Sequence, residues 1–174
     1  MKDHYIAGFV DGEGSFHVAF QRNPDVRLGW QAIPEFHVSQ HVSSRSVLEA
    51  IRERLGCGII KANHRGSRKD RTQVLVVRNR HDLAMKVVPF FDRYSLYTEK
   101  RNDFRRFKLV VEMMVLGAHR STEGLAKIVE IAYAMNAGGN RRRVAREMIL
   151  RTLRSSETIR QRSARPVRPD SIKI

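Results

Sequence analysis

Two carboxylates flank a glycine in Asp11-Gly12-Glu13, and this is the part of the sequence best equipped to do chemistry. Acids at that spacing fit two descriptions, an oxygen-rich group for a hard divalent cation or a solvated acidic turn, and spacing alone leaves both open. Other chemistries find less support. The single cysteine, Cys57, forms no disulfide within the chain and reads as a buried or strand position. The seven histidines are scattered: His17, His37 and His41 are separated by strand and turn, so a zinc cluster is disfavoured.

The elements that must position these acids follow from periodicity. A short helix over about Asp3 to Val10 runs into the glycines at 12 and 14, which are expected to end it. Gly14 to Arg22 alternates, with Phe16, Val18 and Phe20 on one face and Ser15, His17, Ala19 and Gln21 on the other. After a long turn-rich stretch, Phe36 and Val38 oppose Glu35, His37 and Ser39 in a partner strand. Ser43 or Ser44 caps a helix holding Val47, Leu48, Ile51 and Leu55, closed by Gly56. A second strand pair is expected over Cys57–Arg65 and Thr72–Arg78, joined by a basic loop. Helices then follow from His81, with Pro89 marking a kink or end, from Thr98, and from Ser121 to Gly138-Gly139. Residues 1–140 thus read as an α+β domain and 141–174 as a basic helix and tail, the tail starting beyond Ser155.

The net charge of +15 favours a polyanionic partner, because each lysine or arginine placed on a phosphate releases condensed counterions. The tail does not account for all of it: residues 141–174 carry a surplus of 8, and the body still carries +7. No apolar run approaches a membrane span and the start lacks a signal-peptide pattern, so a soluble intracellular protein without membrane contact or small-molecule cofactor is expected.

The stretch Ile6-Ala7-Gly8-Phe9-Val10-Asp11-Gly12-Glu13-Gly14 resembles the LAGLIDADG motif of homing endonucleases at all nine positions in type. Phe36-His37-Val38-Ser39-Gln40 and Glu99-Lys100-Arg101-Asn102-Asp103-Phe104 resemble further segments of that family. The resemblance extends over roughly Tyr5 to Met135. It implies a helix-strand-strand-helix-strand-strand core with an antiparallel DNA-binding sheet, followed by C-terminal helices. It implies metal-dependent double-strand cleavage of a long, roughly palindromic DNA by an intron-encoded protein. Glu13 and the Gly12 carbonyl would hold Mg²⁺, with other divalent cations as substitutes. Gln40 would contact water near the metal, and Lys100 would assist as a cation, with Arg101 or the one-residue-displaced Arg45 as weaker candidates. Ala7, Gly8, Asp11 and Gly12 would line the interface of a homodimer, since the chain holds one motif copy.

On this reading His17, Gln21, Gln31, His37 and Ser39, with Lys61, Asn63, Arg65 and Gln73 of the second pair, form one wet sheet face able to read base edges. Arg68, Lys69 and Arg71 would contact phosphates. The rival readings are a non-cleaving DNA- or RNA-binding module of the same fold, such as a splicing maturase or regulator, and a basic ribosomal protein. Neither gives Glu13 a task beside phosphates.

Overall fold

The computed structural model describes residues 1–63, 71–136 and 144–163, with side chains described as far as Ser155. Arg65, Arg68, Lys69 and the expected helix stop at Gly138-Gly139 lie outside the described residues.

Helix α1 spans Asp3–Glu13, three residues longer than expected, because Gly8 and Gly12 stay helical. A helical glycine costs about 0.5–1 kcal/mol, which packing of Ile6 and Val10 offsets. The helix stops at Gly14, where a Cβ would collide with Val10, so the chain turns directly from Glu13 into β1 (Gly14–Arg22).

Strand β2 (Trp30–His41) starts well before Glu35. Trp30, Ala32 and Pro34 continue the inward alternation of Phe36, and the proline had disguised it. The loop of residues 23–29 is closed by an Asn23 N–H to Gly29 O bond of 3.1 Å, with Gly29 at φ 69°. A 3₁₀ turn, Val42–Ser44, leads into α2 (Arg45–Leu55). No serine side chain caps that helix; instead the His41 ring accepts the Ser43 N–H. Gly56, at φ 65°, ends the helix in the left-handed conformation. Strands β3 (Ile59–Ala62) and β4 (Thr72–Val77) complete an antiparallel sheet of order β1-β2-β4-β3. Cys57 lies before β3, half-buried, its thiol pushed up to about 11 by burial and then by Asp82.

Residues 80–93 form one helical stretch: α3 (Arg80–Asp82), a π-helical Leu83–Val87, and α4 (Val88–Arg93). The Val88 N–H reaches back to Leu83 O, and the widened turn immediately precedes Pro89, which has no N–H to satisfy. Helix α5 (Lys100–Val115) starts after Thr98, whose hydroxyl accepts the Lys100 N–H at 3.2 Å. Ser121 caps α6 (Thr122–Tyr133) through the Gly124 N–H at 3.0 Å. Helix α7 (Arg146–Ser163) continues past Ser155, where a tail was expected; straight-chain and arginine side chains favour helix and no proline intervenes.

Phe16 is the hub of the core, its ring centroid 5.1–5.4 Å from those of Phe36, Phe91, Phe104 and Phe107. Helices α1, α2 and α5 pack on that sheet face. Ile149 and Leu153 of α7 are buried in the same core. No helix among the described residues is long and apolar enough to cross a membrane.

Candidate active site and nucleic-acid interface

Glu13 ends α1 with an exposed carboxylate, one residue from the exposed Gly12. Lys100, in the first turn of α5, places Nζ 3.1 Å from Gly12 O and 3.0 Å from Val10 O. A cation at a helix C-terminus meets both the unpaired carbonyls and the negative end of the helix dipole. Burial lowers the Lys100 pKa, against the opposing pull of Asp11, Glu13 and Asp103. Arg101, one residue on, is exposed.

Asp11 makes the reciprocal tie. Its carboxylate accepts the Tyr97 N–H at 2.8 Å, the Thr98 N–H at 3.1 Å and the Thr98 hydroxyl at 2.6 Å. Burial alone would raise its pKa, but these bonds, Thr98 first, hold it below the ordinary value. The motif's first acid therefore fastens α5 to α1 within one chain, and so fixes Lys100 beside Glu13. Sequence reading placed Asp11 near the helix end without its partner; Thr98, two residues before Lys100, was the only signal.

Gln40 lies two residues past Val38, the partner of Gly14, at the strand end nearest Glu13. Arg45 is engaged elsewhere, bonding Glu49 at 2.7 Å and Gln73 at 2.9 Å. Gln73 itself corrects the expected reading face. Val38 pairs with Leu75 and Gln40 with Gln73, so Gln73 shares the core-side face with Leu75 and Val77. The apolar run Val74–Val77 has no alternation to reveal which side faces inward, and the outward positions of β4 are the buried Val74 and Val76.

The remaining outer-face residues do come together. The register sets Ser15 opposite His37, His17 opposite Glu35 and Gln21 opposite Gln31, with Ser39 and Lys61 flanking Val74. Gln21 donates to Gln31 at 3.1 Å, Asn63 is exposed at the sheet's end, and Arg71 is exposed just before β4. Sequence reading missed Glu35 as a partner. It is only 4% exposed, and it meets His17, His37 and Arg78. The two histidines that looked scattered are brought together by the pairing of β1 with β2.

Along α1, Tyr5, Gly8 and Gly12 form an exposed stripe, and a Cβ at either glycine would meet nothing within 4 Å among the described residues. Ala7 differs from expectation: it is 3% exposed, turned inward beside Ile6.

A family model described as LAGLIDADG endonuclease matches residues 6–111. The chain is 34% identical over 132 residues to "Probable intron-encoded endonuclease 3" of Neurospora crassa, covering 76% of this chain and 24% of that one. It is 34% identical over 131 residues to "DNA endonuclease I-CeuI" of Chlamydomonas moewusii, covering 73% and 59%. The chain thus spans between a quarter and three fifths of these two relatives. Among solved structures it resembles the homing endonuclease I-TnaI, with TM-score 0.76 and 40% identity over 90% of this chain and 98% of that one. It also resembles the archaeal intron-encoded homing endonuclease I-Vdi141I complexed with DNA, with TM-score 0.79 and 31% identity over 90% and 96%.

Proposed function

The chain belongs to the LAGLIDADG endonuclease family, and on that premise we propose that it is a site-specific DNA endonuclease acting as a homodimer on a roughly palindromic duplex. The observation that carries this reading is the end of α1. There an exposed Glu13 follows the Gly12 carbonyl, on which the Lys100 ammonium is docked at 3.1 Å.

The donor set fits a hard divalent cation such as Mg²⁺: a carboxylate and a backbone oxygen, with space for water and phosphate oxygens. Glu13 would hold it, joined by the Gly12 oxygen as the Lys100 ammonium gives up that carbonyl and keeps Val10 O. Such an ion, when bound, polarises the phosphate and lowers the pKa of a water. Lys100 offsets negative charge beside the phosphate, its flexible reach set by the two α1 carbonyls. Gln40, at the adjoining strand end, orients water there. Asp11 positions Lys100 through Thr98.

The outer sheet face, carrying His17, Gln21, Gln31, His37, Ser39, Lys61 and Asn63, reads base edges, and Arg71 with the basic segments contacts phosphates. The bare stripe of α1 is the dimer face. Glycine there lets two helices approach closely, which sets two Glu13 near each other and gives one cut per strand.

The test is incubation of the full chain with a randomised duplex library and Mg²⁺, beside Glu13→Gln, followed by sequencing of cut ends. The expected result is one long near-palindromic site, cut by the wild type and bound but not cut by the variant. Specific binding without cleavage under any divalent metal would replace this reading with a binding module of the same fold.

A further inference from the structure

The pleat of the sheet puts His17, Glu35 and His37 on one face by backbone register alone. His17 pairs directly across from Glu35, and His37 follows Glu35 by two residues on the same strand. Their side chains converge. His17 Nε2 lies 3.0 Å and His37 Nε2 2.9 Å from the same oxygen, Glu35 Oε2, and all three donor atoms lie within 4.8 Å of one another. Glu35 Oε1 is taken by Arg78.

Hydrogen bonding explains only part of this. His17 Nε2 is aligned to bond Glu35, but His37 Nε2, close as it is, is a buried ring nitrogen without a hydrogen-bond partner. The two rings meet edge to face, centroids 4.5 Å apart, with both Nε2 atoms turned to one carboxylate oxygen. His37 Nε2 touches that oxygen at 2.9 Å as an ion-pair contact off the hydrogen-bond direction, so two ring nitrogens and a carboxylate oxygen crowd one point, which a shared cation would use in full.

We propose that His17, Glu35 and His37 form a second metal site, distinct from the Glu13 site, that binds a borderline divalent transition ion, Zn²⁺. Two imidazoles and one carboxylate suit zinc rather than Mg²⁺, which takes oxygen donors. Donors around tetrahedral zinc stand about 3.3 Å apart at bond lengths of about 2.0–2.1 Å, so each nitrogen–oxygen pair needs to open by only a few tenths of an ångström, with the two ring nitrogens, within 4.8 Å of each other, adjusting by rotation of their side chains. Arg78 on Oε1 then acts as the outer-shell partner that fixes the ligating carboxylate, leaving Oε2 to the metal. His17 and His37 remain about a quarter exposed, so the ion is reachable from solvent and keeps a position for water.

The test uses the untagged full chain in the Glu13→Gln background, so that metal held at the end of α1 is not counted. Zn²⁺ alone is titrated calorimetrically, and Co²⁺ is added as a spectroscopic probe. The expected result is one Zn²⁺ per chain and an intense visible Co²⁺ band of low coordination number, displaced by Zn²⁺ and unaffected by excess Mg²⁺. His17→Gln and His37→Gln, which leave the Glu35–Arg78 pair in place, should each weaken uptake by about 100-fold while preserving the circular dichroism spectrum. Absence of stoichiometric uptake, or uptake by the histidine variants as tight as that of their parent, would overturn the site. The readout is metal uptake in the absence of DNA, so failure of the site leaves the Glu13 reading standing.

Discussion

Two groups at the end of α1 carry different burdens, and substitution separates them. Lys100 contributes charge at the spot where negative charge gathers, so Lys100→Met should lower single-turnover cleavage by about 10²- to 10³-fold while leaving target affinity nearly unchanged. Arg101→Met, at an exposed position without that docking, should stay near wild type. Equal losses for both would mean that general basicity, rather than the docked ammonium, is what counts. At this scale the motif led to residues that the fold brings to one helix end, Glu13 and Lys100, and no signal led to a partner that lies across a strand pair. Glu35 illustrates the second case. Alternation places it on a wet face, yet two histidines and Arg78 cover it, and no spacing along the chain encodes that cross-strand meeting.

The tie between α1 and α5 is an acid's work, and its pH dependence follows from sign. Asp11 has a folded-state pKa below its ordinary value, so its stabilisation is fully present above the unfolded pKa and is lost as pH falls through the folded one. Asp11→Asn should therefore lower Tm at neutral pH, and the gap from wild type should close as the pH drops below the ordinary aspartate range. A gap that persists undiminished in acid would show that shape, not charge, holds Thr98. The last helix is tested differently. Leu153 is 1% exposed, and Leu153→Ala should cost about 2–5 kcal/mol in a denaturant titration. A loss below about 0.5 kcal/mol would mean that α7 does not share the core. Elements with clean periodicity, such as β1 and α2, were legible to within a residue or two, whereas α6 ends at Tyr133, short of the glycines at 138 and 139 expected to stop it, with Asn136 already at positive φ. The misplacements had local causes: glycines that stay helical when their neighbours pack, a proline that hides the start of β2, and a run of apolar residues in β4 that conceals which side faces inward.

For the whole molecule, the bare stripe on α1 makes a prediction that separates folding from assembly. Among the described residues a Cβ at Gly8 meets nothing within 4 Å, so a side chain there starts into open space. Leucine is also a better helix former than glycine, by roughly 0.8 kcal/mol, so Gly8→Leu should leave the folded chain as stable as wild type or more so. If two copies meet along this stripe, the same side chain holds their backbones apart. Sedimentation should then show a dimer becoming a monomer, and double-strand cleavage should fall with it, because each chain brings a single Glu13 and two strands need two. A Gly8→Leu chain that remains dimeric and cuts normally would move the interface elsewhere on the surface and leave the glycines of α1 without a reason for their cost to the helix.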